Sequence, residues 1–491
     1  MKSGLKKVLP ARSGVILALA LLAGLGPLLG VVVGVKEPSV EELRSTIPPE
    51  LRPNRAPISD EENAAGVFTL AMRRTSDTTP EIRMAMQTLA GWPVTIPENL
   101  EPMLPKIRSW LSENSEALSL CRSASRRRDC RFPSPSVTNV NEGLRETGLL
   151  SNGLVCDAYL RWREGDRAES VNLLRDAANG SALLVQGAPT LLHYLIGSVL
   201  RRRSLEAVAS ASIRPTCTAS DLKALAGILS VTPDESAQFR ESLRSELWDF
   251  IAPQSRLEVL VQNFAGVQTN TAALALYPEE LHRPLELVFD AKLLASHPRP
   301  LETAKLFSDS LAFWTEVDRR VSQRWTPQEF PDSSLEVRER FVEEFAPVEQ
   351  ALDGEELPLS DEAVERAAPL FQKVADPVGR LVSSLPNFSD ALYKRGYEAK
   401  TRNGAIAAVV AARRWADSHG GALPESLQDL VRGDLLPRVP TDAFSGEPLH
   451  YSQREGRIWS VGPNAKDDGG HRDPAGEGTR DDLVWSVIPI R

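Results

Sequence analysis

The chain has 491 residues, a formal net charge of −9, 42% hydrophobic residues and 25% charged residues. A single hydrophobic core stops growing at roughly 250–300 residues, so this length predicts several structural units. The charges are spread along the chain without a basic stripe or interleaved aromatic residues, which argues against a nucleic-acid partner. The 4 cysteines form no CxxC pair and no Cys/His cluster, which argues against a zinc site.

A long uncharged segment near the N-terminus predicts a membrane anchor. The residues before it include four basic side chains: Lys2, Lys6, Lys7 and Arg12. By the positive-inside rule, residues 1–13 form a cytoplasmic tail and residues 14–35 a transmembrane helix. We therefore expect a single-pass protein of a bacterial inner membrane, with the lipid bilayer as one partner and the bulk of the chain in the periplasm. A cleaved signal peptide is the alternative.

Three glycines in this segment, Gly26, Gly30 and Gly34, recur every four residues. Small residues at this spacing let two membrane helices approach closely, which indicates self-association through this face. The alternative is that glycine is simply common in membrane helices.

Cys121 and Cys130 flank an arginine-rich stretch. One disulfide would close this stretch into a loop in an oxidising compartment. Buried free thiols are an equally good interpretation.

Residues 36–57 are rich in proline and predict an extended stalk. Helical periodicity follows through residues 58–390, with a subdivision near residues 131–140, and predicts an all-α domain of helical hairpins. The turn at Gly165 and Asp166 between two helical segments resembles one tetratricopeptide unit, although no fixed repeat period is present. We expect this domain to offer a binding surface to protein partners, with a static spacer as the alternative.

Residues 391–491 predict a small α+β module. A helix from Ala399 to Ser418 is followed by a short helix, a hairpin and a final strand at residues 482–487. The expected fold class is therefore an α+β multidomain protein: a transmembrane helix, a mainly helical middle domain, and a head with a three-stranded antiparallel sheet.

The last ninety residues or so carry five short sequences in a characteristic order. These are Leu423-Pro424, the run 442–451, the run 459–462, Asp468-Gly469-Gly470, and Asp481-Asp482-Leu483. In this order they resemble the C-terminal domain of the major pseudopilin of type II secretion systems. That resemblance implies a calcium-binding loop and an association with secretion machinery. It does not extend to the N-terminus, which lacks the pseudopilin cleavage glycine and the glutamate of its apolar helix.

The acidic, glycine-rich loop before the final strand has the chemistry that calcium requires, since calcium prefers six to eight hard oxygen ligands on a flexible chain. The candidate ligands are Asn464, Asp467, Asp468, Asp481 and Asp482. The resemblance singles out Asp468 and Asp482, with Asn464 and Asp467 helping. The alternative is a solvated acidic turn without a metal.

No catalytic motif stands out. HExxH, GxSxG and Walker sequences are absent, and Ser220 and Lys223 match SxxK without its companion motifs. We therefore expect an envelope interaction or scaffold protein with a calcium-stabilised, pseudopilin-like head, and no enzyme. The alternatives are a genuine pseudopilus component and an envelope hydrolase whose site assembles only on folding.

Overall fold

The computed structural model describes residues 38–54, 58–133, 143–229, 235–256, 259–260, 279–321, 323, 333–384, 389–471 and 482–488. The helices of the first half are α1 (Val40–Ser45), α2 (Ala65–Arg74), α3 (Pro80–Leu89), α4 (Leu104–Glu113), α5 (Ser115–Ala124), α6 (Leu144–Glu164), α7 (Arg167–Gln186), α8 (Leu191–Ser212), α9 (Ala219–Leu229) and α10 (Glu235–Ser245). A π-helical segment, Glu246–Ile251, and one last turn, Ala252–Gln254, continue α10.

The second half contains α11 (His282–Val288), α12 (Ala291–Ser296), α13 (Thr303–Val321), α14 (Ser333–Ala351), α15 (Asp361–Phe371), α16 (Pro377–Ser383), α17 (Ser389–Ser418) and α18 (Leu427–Arg432). The strands are β1 (His450–Ser452), β2 (Arg457–Ser460) and β3 (Leu483–Ser486). They form one antiparallel sheet in the order β1-β2-β3.

Three long helices, α6, α7 and α8, form the centre of the body. Gly165 ends α6 with a φ of 90°, a left-handed conformation that glycine adopts without strain. Asp166 then caps α7 by accepting a hydrogen bond from the Glu169 N–H. The chain therefore reverses within two residues, and α7 packs back on α6 as the sequence predicts.

A second core gathers α11, α12, α14, α15 and α16. Phe341 stacks on Phe345, and Phe345 meets Phe371 edge-on at 6.2 Å between ring centroids. His297 fixes the neighbouring turn: its Nδ1 accepts from the Arg299 N–H, and its Nε2 lies 3.0 Å from the Val374 carbonyl oxygen. Burial lowers the pKa of His297, which fits a neutral ring that holds two backbone segments together.

The longest helix, α17, joins the body to the sheet. Ile406 and Val410 belong to the large core of the body, whereas Ala405, Ala408 and Ala412 pack in a core with the sheet. These two sets occupy different faces of one helix. The head therefore shares its main helix with the body and is not suspended from it.

The predicted α+β fold class is wrong. The described chain is mostly helical, and its one sheet contains only three short strands. The sequence suggested a separate α+β head because α17 and the hairpin are contiguous in the chain. Packing instead makes α17 a helix of the body.

The predicted single-pass inner-membrane location is likewise corrected. Among the residues that the structure describes, no helix has the length and apolar character needed to cross a membrane. The proposed anchor at 14–35, with Gly26, Gly30 and Gly34, lies outside the described residues.

The expected extended stalk at 36–57 is also corrected where the chain is described. Residues 38–54 contain α1 and a 3-10 turn at Pro49–Leu51, and Leu43, Ile47 and Leu51 are buried. Ser39 caps α1 in a capping box with Glu42. The prolines break the helix but leave these apolar side chains free to dock on the body.

All four cysteines are free thiols, so the Cys121–Cys130 disulfide is not formed. Burial raises the pKa of Cys121 to about 12 and raises that of Cys130 further. These thiols therefore behave as small apolar core groups.

We predict that Gly187→Ala destabilises the protein. An added Cβ would lie 2.6 Å from Cys130 Sγ and 3.0 Å from the Cys130 backbone, so either α7 or the chain at Cys130 must shift. Overpacking of this kind costs about 1–3 kcal/mol, measurable by urea denaturation.

Gly148→Ala is the matched control. This glycine lies within α6, and nothing is within 4 Å of its added Cβ. The control should gain about 0.5–1 kcal/mol from reduced backbone freedom. Equal effects of the two substitutions would contradict the close approach at Gly187.

Candidate ion-binding loop

The candidate site is the acidic loop that follows β2. The hairpin that carries this loop is fixed to α17 by the buried carboxylate of Asp442. Asp442 Oδ1 accepts from the Phe444 N–H and the Ser460 hydroxyl, both at 2.9 Å, and Oδ2 accepts from the Val461 N–H at 2.9 Å. The next residue, Ala443, donates its N–H to Thr401 Oγ1 of α17 at 3.0 Å. Asp442 therefore ties β2 to the turn that rests on α17.

Asp482 is the predicted ligand that the structure buries completely. Its carboxylate accepts from the Gly470 N–H at 2.7 Å and from the Asp468 N–H at 3.3 Å. These bonds close the acidic loop onto the start of β3. Positive φ values of 72° at Gly469 and Gly470 turn the loop backbone toward Asp482.

The titration of Asp482 reflects this setting. Burial raises its pKa, the two backbone N–H donors oppose that shift, and the charges of Asp468 and Asp467 raise the pKa again. Negative charge is therefore crowded at this end of the loop.

Asp467 is engaged by groups on β1, on β2 and in the loop. Its Oδ1 accepts from Trp459 Nε1 and from the Gly469 N–H, both at 2.9 Å, and its Oδ2 lies 3.4 Å from His450 Nδ1. His450 also stacks on Trp459, with 5.3 Å between the ring centroids. The Asp467 carboxylate therefore contacts both rings of the stacked pair that His450 of β1 and Trp459 of β2 form.

Asn464 and Asp468 lie on the loop between these two anchors. Asn464 Nδ2 donates to Asp468 Oδ2 at 3.1 Å, and Asn464 Oδ1 accepts from the Lys466 N–H. Asp481 lies outside the described residues. The structure thus joins Asn464, Asp468 and Asp482 through hydrogen bonds, whereas Asp467 contacts Trp459 and His450.

Within the described residues, no three His, Cys, Asp or Glu side chains converge as metal ligands do. The oxygen atoms of the loop are engaged with N–H donors, mainly of the backbone. In this conformation the loop is a hydrogen-bonded turn with surplus negative charge.

The SxxK match at Ser220 and Lys223 falls at the beginning of α9, where the neighbouring residues cap the helix. Both side chains are exposed in the first turn of α9. The intervening Asp221 accepts from the Thr218 N–H at 2.9 Å and donates its own N–H to Thr218 Oγ1. This is a helix cap.

Sequence reasoning missed three residues that shape the loop: Asp442, His450 and Trp459. The pattern that could have revealed Asp442 is an aspartate four residues before a single turn glycine, Gly446, because aspartate side chains at turns often accept from the backbone N–H two residues on. The pairing of His450 with Trp459 follows from the hairpin register, in which the two residues are direct partners.

Comparisons of this chain with protein-family models, with curated proteins and with solved structures found no match.

We predict that Asp442→Ala lowers the free energy of unfolding by about 3 kcal/mol or more, because the substitution leaves three buried donors without an acceptor. Asp442→Asn keeps one acceptor oxygen and should cost less. Urea denaturation of the full chain measures both. A loss for alanine no larger than that for asparagine would contradict this role.

Proposed function

We propose that this chain is a protein-interaction scaffold whose body carries a pseudopilin-like head, and that calcium orders the acidic loop of that head. We further propose that it works beside a type II secretion or pilus-like assembly. The observation that carries the calcium proposal is the crowding of carboxylates around the buried Asp482. Asp468 and Asp467 both disfavour its ionised form.

The order of elements supports the pseudopilin-like part of the proposal. A 30-residue helix precedes a short helix, a hairpin, the acidic loop and a final strand that pairs with β2. The five short sequences that carry the resemblance follow one another along this series of elements.

The donor set suits calcium, a hard cation that prefers carboxylate and carbonyl oxygen. Asp468 and Asp482 would hold the ion, assisted by Asn464, and the ion would neutralise their combined charge. Asp467 is engaged by Trp459 and His450 and would serve to position the loop.

The helical body supports the scaffold part of the proposal. Met84 on α3 and Leu70 on α2 expose 67% and 42% of their surface. Exposed apolar side chains on these two successive helices provide surface for a protein partner.

Terbium luminescence tests the calcium proposal on the full chain. Terbium is a hard, oxygen-seeking stand-in for calcium, and Trp459 donates a hydrogen bond to Asp467 within the loop. Bound terbium should therefore show tryptophan-sensitised emission that calcium displaces. Calcium at a hundredfold excess over its dissociation constant should add about 2.7 kcal/mol to the free energy of unfolding.

Three variants make this test specific. Asp482→Ala should abolish both the emission and the stabilisation, while Trp459→Phe should weaken the emission and retain most of the stabilisation, because Asp468 and Asp482 remain in place. Asp417→Ala, at an exposed position of α17, is the control and should behave as the wild type. Calcium-independent melting of the wild type would refute the calcium proposal.

A further inference from the structure

The contact between α8 and α17 is apolar at both ends and polar in between. Leu195 of α8 belongs to one apolar cluster with Tyr397 of α17. Ala209 of α8 packs against another cluster, which contains Ala405 of α17. Leu195 and Ala209 are about four helical turns apart, so other side chains must fill the space between these two contacts. We call this part of the α8–α17 contact the polar interval.

The side chains of the polar interval are charged or carry a hydroxyl group. On α8 they are Ser198, Arg202 and Glu206, which follow one another at every fourth position and therefore share one face of the helix. On α17 they are Glu398 and Arg402, again four positions apart. Two guanidinium groups and two carboxylates thus lie between two apolar contacts.

The ion pairs of the polar interval are long. Arg402 Nε lies 3.5 Å from Glu206 Oε1, and Arg402 Nη2 lies 3.8 Å from Glu398 Oε2. Arg202 Nε lies 4.0 Å from the same Glu206 oxygen atom. A direct hydrogen bond between a guanidinium group and a carboxylate measures about 2.7–2.9 Å. None of these three contacts has that length, although the Glu206 carboxylate lies between the two guanidinium groups.

Two buried donors on α8 have no hydrogen-bond partner in the part of the chain that the structure describes. They are the Ser198 hydroxyl and the Nε of Arg202. Buried polar groups are almost always hydrogen-bonded, so an unsatisfied pair of this kind indicates a ligand or an ion. Both groups donate, and they are neighbours on one helix face. One acceptor group between them would satisfy both.

The charge beside Arg202 favours an acceptor that is an anion. Burial lowers the pKa of the neighbouring Arg203, the charge of Arg202 lowers it further, and the charge of Glu206 opposes the shift. Arg203 Nη1 donates to the neutral Oδ1 of Asn152 at 2.9 Å. Two adjacent guanidinium groups therefore depend on the one carboxylate of Glu206 for compensation.

The polar interval is open to solvent on the side of Glu206. The Glu206 side chain is 46% exposed, whereas those of Arg202 and Arg402 are 20% and 11% exposed. The carboxylate can therefore turn into water while the two guanidinium groups keep their places. This movement would leave both guanidinium groups facing the same opening.

We propose that the polar interval binds a small oxyanion of the size of phosphate, held by Ser198, Arg202 and Arg402 in the place that the Glu206 carboxylate now occupies. Guanidinium groups suit phosphate because their planar donors match its oxygen atoms. The Ser198 hydroxyl supplies a further donor. Bound in this way, the anion links α8 to α17.

Isothermal titration calorimetry of the full chain with inorganic phosphate tests this proposal. Sodium chloride is adjusted to keep the ionic strength constant, so that general screening of surface charge does not change during the titration. We expect saturable binding of a single phosphate ion. A parallel titration with glycerol phosphate ranks a phosphate ester against the free ion, and saturable binding of either one supports the site.

Three variants assign the binding to the polar interval. Arg202→Gln removes one guanidinium group and should weaken binding about tenfold or more. Glu206→Gln removes the competing negative charge and should tighten binding severalfold. Arg432→Gln, at a side chain of α18 that is 72% exposed, is the control and should bind as the wild type does.

Two results would overturn the proposal. One is a failure of the wild type and of Glu206→Gln alike to bind either phosphate compound. The other is equal affinity in Arg202→Gln and in the wild type, which would place the anion elsewhere. If Arg202→Gln does not fold, Glu206→Gln decides the question, because an unchanged or weaker affinity there contradicts an anion that replaces the Glu206 carboxylate.

Discussion

The packing of α17 against the helical body on one side and against the sheet on the other is the constraint on which the rest of the structure depends. One face of this helix carries small residues, and the backbone of the head lies directly upon it. An added Cβ at Gly404 would lie 2.9 Å from Pro440 Cβ. The opposite face packs on the body, where Arg402 Nε lies 3.5 Å from Glu206 Oε1 of α8. Because one rigid helix satisfies both cores, the sheet cannot move independently of the body without losing apolar contacts on one side.

Buried carboxylates fix the segments that the helices leave irregular. Asp442 holds the hairpin, Asp482 closes the acidic loop, and Asp290 caps α12 while accepting from the Leu359 N–H at 3.2 Å. Glu246 does the same at the start of α8. Charged acceptors form stronger hydrogen bonds to backbone N–H groups than neutral ones do. Each buried acid therefore stabilises a turn and also makes that turn sensitive to charge.

Local elements of this fold could be predicted from the sequence, whereas their assembly could not. The turn at Gly165 and Asp166 follows from a glycine stop and an aspartate cap, both of which act within a few residues. The docking of Leu43 and Ile47 on Leu247 joins residues about two hundred positions apart, and no local pattern specifies it. Contacts between distant residues leave no local pattern, so the proline-rich sequence at 36–57 suggested a stalk. For the same reason the contiguous sequence after residue 391 suggested a separate head.

In the candidate loop, too, the sequence predicts which groups are present but not which contacts they make. Its composition indicates a concentration of side-chain oxygen atoms, because aspartate and asparagine carry those atoms wherever the chain folds. Which oxygen atoms are already engaged depends on the hairpin register, which brings His450 beside Trp459, where both contact the Asp467 carboxylate. The loop closes on its own backbone N–H groups and retains surplus charge at Asp482 and Asp468. A cation at this point would compete with those N–H donors, so ion affinity and loop conformation would be coupled.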